Sequence, residues 1–144
     1  MFILDTNVIS ELRKASQGNA DSHVVSWAQA QDASDLYLSV VTIQELEIGV
    51  LLIERKNPSQ GAYLRHWLNE QVFPAFVGRI LPIDQKVALK SAALHVPNPK
   101  PIRDGLIAAT ALVHGMTVVT RNVGDFESTG VKIVDPWNSP LFKT

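Results

Sequence analysis

The sequence predicts an α/β protein, a three-layer α/β/α sandwich around a central, mostly parallel five-stranded sheet. Short apolar runs alternate along the chain with segments whose apolar residues recur every three or four positions, as buried strands alternate with amphipathic helices. The first run, Phe2-Ile3-Leu4, stops abruptly at Asp5-Thr6-Asn7, as a buried strand does on meeting a helix cap. The 144 residues are 46% hydrophobic and 19% charged, an ordinary globular usage. A chain of that length buries roughly two thirds of its unfolded surface, enough for a core, and residues 1–144 are read as one domain.

The elements follow in order. After the first strand, Val8, Ile9 and Leu12 give a short helical stripe, and Val24, Val25, Trp27, Ala28 and Ala30 a second. Leu36-Tyr37-Leu38-Ser39-Val40 is the second strand. It runs into a helix over 42–56 carrying Ile43, Leu46, Val50 and Ile53. Asn57-Pro58-Ser59-Gln60-Gly61 reads as a loop from its breaker residues. Leu64, Trp67, Leu68 and Val72 mark a further helix, residues 79–83 the third strand, and 84–94 the next helix. A proline-rich connector over 95–101 leads to a helix defined by Ile102, Leu106, Ala109 and Val113 and closed by Gly115. Thr117-Val118-Val119-Thr120 and Val131-Lys132-Ile133-Val134 are the last strands.

Composition excludes several classes of function. There is no cysteine, hence no disulfide, thiolate nucleophile or cysteine-bound metal centre. The longest nearly apolar run, residues 105–113, is far short of the ~18 residues of a membrane span. Nor does the acid at position 5, with no basic lead-in, resemble a signal peptide, so the expected location is the cytoplasm. Net charge is −1, which advertises no global affinity for nucleic acid. Residues 1–72 nevertheless carry five basic and nine acidic side chains, and residues 73–144 eight and five, leaving room for a local phosphate-binding surface in the second half.

Four acids stand out by position. Asp5 follows the first strand, Glu45 lies in the first turn of the helix after the second, and Asp125 follows the fourth. In a parallel sheet these fall at one carboxyl edge, and Asp104 joins them if its helix starts there. Each also has a structural role to play: Asp5 as a helix cap, Thr42-x-x-Glu45 as a capping box, Asp104 in the favourable field of a helix N-terminus, Asp125 in a turn. Together they point to a cation, because clustered carboxylates repel one another without one. Oxygen ligands alone suit Mg²⁺ or Mn²⁺, which polarise a phosphate and acidify a bound water. His23, His66, His95 and His114 are scattered without ligand spacing.

The residues carrying these features resemble a known family. Phe2-Ile3-Leu4-Asp5-Thr6-Asn7-Val8, Leu38-Ser39-Val40-Val41-Thr42-Ile43-Gln44-Glu45-Leu46 with Gly49, Asp104-Gly105-Leu106-Ile107-Ala108-Ala109-Thr110-Ala111, and Thr120-Arg121-Asn122 with Asp125-Phe126 are similar to PIN-domain proteins, and most to the VapC/FitB-like toxins of bacterial toxin–antitoxin modules. Asp135-Pro136-Trp137 fits the same branch. The resemblance implies a PIN-like fold and a Mg²⁺-dependent endoribonuclease acting on RNA. It further implies a homodimer and a cognate antitoxin whose C-terminal segment blocks the site, with higher hetero-oligomers of the two. Matched residue by residue, Asp5 and Asp104 are the principal metal ligands and Glu45 the third acid, while the fourth position falls on Asn122 or on Asp125.

The expected site is thus Asp5, Glu45, Asp104 and Asp125, with Asp5 and Asp104 binding metal directly. Thr6, Asn7, Ser39, Thr120, Arg121 and Asn122 are candidates to surround the metal or touch phosphate, Arg121 foremost because guanidinium binds phosphate bidentately. Two rivals remain at this point. A small-molecule phosphohydrolase with Asp5 as nucleophile would usually show a second acid at position 7, which is Asn7. A catalytically silent PIN-shaped binding module would not need the three principal acids. Ile43, Leu46, Val50, Leu51, Leu52 and Ile53, with Leu64, Trp67 and Leu68, are more apolar residues than one buried stripe requires, and suggest a landing surface for the antitoxin.

Overall fold

The computed structural model describes residues 1–139. Residues 140–144, the end of the expected domain, lie outside the described residues. β1 (Phe2–Leu4) enters α1 (Thr6–Arg13), and α2 (Ser22–Gln29) follows. β2 (Leu36–Ser39) runs directly into α3 (Val40–Lys56), then α4 (Pro58–Trp67), a π-helical turn over Leu68–Val72 and the single turn α5 (Phe73–Ala75). β3 (Ile80–Leu81), α6 (Gln85–Leu94), α7 (Ile102–His114), β4 (Thr117–Val119) and β5 (Ile133–Val134) come next.

The strands form one five-stranded sheet in the order β3-β2-β1-β4-β5, with every neighbouring pair parallel. The chain winds from β1 to β2 and β3 on one side, then crosses back to β4 and β5 on the other. Connections therefore diverge between β1 and β4, and the carboxyl ends of those two strands frame the crevice where such sheets bind ligands.

Side-chain alternation along the strands builds the two outer layers. Ile3 and Val118 share an apolar cluster with Ile107, Ala108 and Phe126. Their neighbours Leu4 and Val119 join a second cluster with Val8, Trp27, Leu46 and Trp67. A period of two in the central strands thus sends α7 to one face and α1 to α4 to the other.

Three boundaries differ from the sequence reading, each for a local reason. The expected loop 57–61 shrinks to Asn57, whose side chain accepts a hydrogen bond from Gln60 N (3.2 Å) and caps α4, with Pro58 in the first turn, where its missing N–H costs nothing. Gly61 is then buried inside the helix, so close to α3 that a Cβ would lie 2.5 Å from the Glu54 Cα. Arg65 completes this clamp, donating to both carboxylate oxygens of Glu47 at 2.6 Å and to Glu54 at 3.0 Å. α3 begins at Val40 rather than Thr42, because Ser39 Oγ accepts the Val41 N–H (3.0 Å) and serves as the cap. β3 is only two residues long, at the sheet edge and followed by Pro82, which has no N–H to donate.

The close approach at Gly61 yields a stability prediction. Gly61→Ala should destabilise by about 1–3 kcal/mol through overpacking. Gly49→Ala, in α3 with open space around it, should be neutral or stabilising by up to about 1 kcal/mol. Chemical denaturation of both variants checks this, and equal destabilisation would contradict the packing described.

Candidate active site

Asp5 is the residue on which the crevice is built. It leaves β1 with its backbone N–H on Val119 O (2.9 Å) and turns, in an extended conformation, into the cap of α1. Its Oδ1 accepts the Thr6 N–H at 2.8 Å, while Oδ2 accepts from the Thr120 hydroxyl at 2.8 Å and more weakly from Asn7 Nδ2 at 3.4 Å. Asn7 Nδ2 also reaches Thr120 Oγ1 (3.3 Å), which receives the Asn122 N–H (3.0 Å), and Asn7 Oδ1 receives the Arg121 N–H (3.4 Å). The ends of β1 and β4 are thereby laced together around one carboxylate that is 6% exposed.

Glu45 and Asp104 face the same pocket, a cavity of about 440 Å³ that Asp5 also lines. Glu45 projects from the second turn of α3, and Asp104 from the first turn of α7. The connector before α7 is tied down by the Lys100 N–H, which donates to His95 Nδ1 (3.0 Å), and α6 and α7 pack closely enough that a Cβ on Gly105 would lie 2.9 Å from His95 Nε2.

Burial and mutual repulsion push all three carboxyls the same way. Burial raises Asp5 above its ordinary value, against the pull of its bonds to Thr120 and Thr6. Glu45 is raised by burial and then by the charge of Asp5, with Arg103, 3.5 Å away, opposing. Asp104 is pushed up to about 6 by burial and the charges of Asp5, Asp125 and Glu45. Such crowding of acids marks a site built for positive charge.

Of the ten expected site residues, seven line this pocket: Asp5, Thr6, Asn7, Glu45, Asp104, Arg121 and Asn122. Thr120 lies behind it, fully buried, and acts on it through Asp5. Ser39 does not line it; its hydroxyl is spent on capping α3. Asp125 sits on an exposed 3-10 turn outside the lining, near enough to add its charge to Asp5 and Asp104. Asn122 therefore occupies the pocket wall and Asp125 its surroundings. Thr42 forms no capping box with Glu45, because the helix starts earlier; its hydroxyl is buried without a hydrogen-bond partner.

Sequence reasoning missed Ser10, Glu11, Lys14 and Trp137, which also line the pocket, and Arg103, which pairs with Glu45. A signal was present for the first three. Asn7, Ser10, Glu11 and Lys14 stand at spacings of three, four and seven, one polar face of α1 continuing from the Asp5 network. For Trp137 the resemblance offered the motif Asp135-Pro136-Trp137 but no role, since only the fold brings the turn after β5 to this edge.

The donor set suits a hard divalent cation, being all oxygen with no sulfur and no histidine nitrogen. Thr6 Oγ1, buried in the same wall, is near enough to Glu45 to favour its ionised form yet makes no hydrogen bond of good geometry. Among the described residues no three acids or histidines are gathered closely enough to hold a metal by themselves.

An all-parallel α/β sheet with an oxygen-lined, acid-crowded pocket at its switch point defines a class of phosphate-handling, cation-binding proteins. Within it, the chain belongs to the PIN-domain family, whose model matches residues 2–132. It is 38% identical over 143 residues to Toxin FitB of Neisseria gonorrhoeae, an alignment spanning 96% of this chain and 99% of that one. A VapC ribonuclease of Sinorhizobium fredii is 39% identical over 142 residues, spanning 95% and 98%. Among solved structures, that of FitAcB from Neisseria gonorrhoeae contains a chain 37% identical that superposes with a TM-score of 0.87, covering 96% of this chain and 99% of that one.

The raised carboxyls carry a pH signature. An acid whose folded pKa lies above its unfolded value holds more protons in the native state, so stability falls as pH rises through that window. For Asp104 the window runs from about 4 to about 6. In metal-free buffer, Asp104→Asn should gain stability over the parent, by an amount that grows between those pH values and levels off above 7. Melting curves across pH measure it; a pH-independent difference would contradict the electrostatics.

Proposed function

We propose that this chain is the toxin of a toxin–antitoxin module, a divalent-metal-dependent endoribonuclease that hydrolyses RNA phosphodiester bonds. The observation that carries the reading is the convergence of Asp5, Glu45 and Asp104, all with raised pKa, in one pocket. The near-full-length likeness to Toxin FitB and to a VapC ribonuclease supports it.

Asp5 and Asp104 would hold Mg²⁺ or Mn²⁺, which supplies a polarised phosphate and a more acidic bound water. Asp5 is pre-oriented for this by Thr120 and Thr6, so no side-chain entropy is lost on binding. Glu45 orients the attacking water and accepts its proton, a role suited to a carboxyl lifted by burial. Arg103 holds Glu45 from outside the pocket. Asn122 contributes a neutral oxygen and Asp125 a more distant negative charge. Arg121 addresses a phosphate of the substrate with its in-plane N–H groups.

RNA cleavage by the purified chain should vanish in EDTA and return with Mg²⁺ or Mn²⁺. Asp5→Asn and Glu45→Gln should each lower the single-turnover rate by roughly 10²–10³, the range for losing one preorganised charged group, while melting no earlier than the parent. Undiminished cleavage in EDTA, or wild-type rates in either variant, would refute the mechanism.

The same reading includes an antitoxin. The expected landing surface divides in the structure. Leu46, Val50, Trp67 and Leu68 are core, whereas Leu51 and Leu52 are about half exposed. Between α1, α3 and α4 lies a cleft of about 230 Å³, lined by Arg13, Gly49, Ile53 and Leu64, that shares Thr6, Ser10 and Glu45 with the acidic pocket. An antitoxin segment lying in that cleft would bring a basic side chain to Asp5 and Asp104 in competition with metal, within a homodimer or a larger hetero-oligomer. Co-purification with the product of the neighbouring gene, followed by metal titration, tests it: the saturated complex should cleave at under a tenth of the free rate, and full activity would rule out blocking.

A further inference from the structure

The acidic pocket has a second end with different chemistry. Trp137 lies there, on the 3-10 turn Pro136–Asn138 that follows β5, and is the pocket's aromatic lining residue. The guanidinium carbon of Arg121 sits 5.2 Å from the centroid of its ring, within cation–π range. The nearby cations are otherwise paired with acids: Lys14 with Glu11 at 3.1 Å and Arg103 with Glu45 at 3.5 Å. Arg121 shares the pocket with four carboxylates, Asp5, Glu11, Glu45 and Asp104, yet among the described residues its guanidinium lies against an indole and pairs with none of them.

The Trp137 ring and the Arg121 backbone are both anchored. Trp137 packs against the core cluster of Leu4 and Trp27, and its backbone N–H donates to Asp135 Oδ1 at 3.0 Å. Arg121 is tied through its own N–H to Asn7, and Asn7 to Asp5. The Trp137 ring and the backbone that carries Arg121 are therefore held in a set relation to the carboxylates, with the guanidinium against the ring.

We infer that Arg121 and Trp137 form a stacking platform for one unpaired nucleobase beside the scissile phosphate, an inference that rests on the ribonuclease reading. A guanidinium offers two chemistries in perpendicular directions: its N–H groups lie in the plane and suit phosphate, while its faces stack on π systems. A phosphodiester at Asp5 and Asp104 carries a nucleoside on either side, and the one reaching this end meets a flat cationic and aromatic surface. RNA readers use such surfaces for bases that have left a helical stack. The platform accordingly selects single-stranded substrate, independently of which base is present.

The full chain carrying Asp5→Asn, to prevent cleavage, is titrated with a seven-nucleotide single-stranded RNA and with versions holding one abasic nucleotide at each position in turn. Fluorescence anisotropy of a fluorescein label at the RNA 5′ end is the readout, so the signal survives replacement of Trp137, which lines the pocket. One abasic position should weaken binding by roughly 5- to 150-fold, the range for one stacked base. Adding Trp137→Leu or Arg121→Ala should erase that penalty, and Trp137→Phe should retain most of it; Arg121 is exposed, so its variant reports even if Trp137→Leu fails to fold. A penalty absent at every position, or unchanged in Arg121→Ala, overturns the platform. If wild-type protein still cleaves RNA in that case, the ribonuclease reading stands without it; if it neither binds nor cleaves RNA, both fall.

Discussion

A single buried carboxylate organises this molecule. Asp5 ends the strand at the centre of the sheet, caps the first helix, and is bonded to the hydroxyl that ends the neighbouring strand. The parallel order β3-β2-β1-β4-β5 creates a crevice between β1 and β4, and Asp5 with Thr120 closes its floor. Asn7, Arg121 and Asn122 take their places from that lacing. The buried charge costs stability, and the structure offsets part of that cost with hydrogen bonds while Arg103 only partly counters the repulsion from Glu45 and Asp104.

The cations around the site divide their work by what they rest on. Arg103 is paired with Glu45 and moderates its repulsion with Asp5 and Asp104. Arg121, on Trp137, neutralises no acid and keeps its charge for a ligand. A pocket that placed Arg121 among its own carboxylates would be more stable and less able to take a phosphate. Stability given up at an unrelieved acid cluster, and a cation held away from it, are two aspects of one arrangement.

Much of this was legible in the sequence because topology does the converging. Once short apolar runs alternate with helical stripes, a parallel sheet follows, and acids after β1 and β4 and at the start of α3 fall at its carboxyl edge, where Asp104 joins because α7 starts there, while Asp125 stands just outside the pocket. Asp5, Glu45 and Asp104 are legible for that reason. Ser39 was misread because a cap and a site use the same residue type, and only the helix start at Val40 distinguishes them. Asn57-Pro58 marks a helix start as readily as a loop, and Gly61 reveals its purpose only against Glu54 on the neighbouring helix. Trp137 was legible only as part of Asp135-Pro136-Trp137, and its place at the pocket was not, because that depends on β5 and the turn after it, far from Asp5 in sequence.

On the proposed function, the crowding of Asp5, Glu45 and Asp104 makes this pocket a site for a divalent cation. Calorimetric titration of the metal-free protein with Mn²⁺, in buffers of differing ionisation heat, tests it most directly. With Asp104 at about 6, binding at pH 6 should release close to half a proton from that group, the release should fade by pH 7.5, and both Asp5→Asn and Asp104→Asn should abolish binding at the same metal concentrations. Binding that releases no proton at pH 6, or that survives in both variants, would contradict the claim.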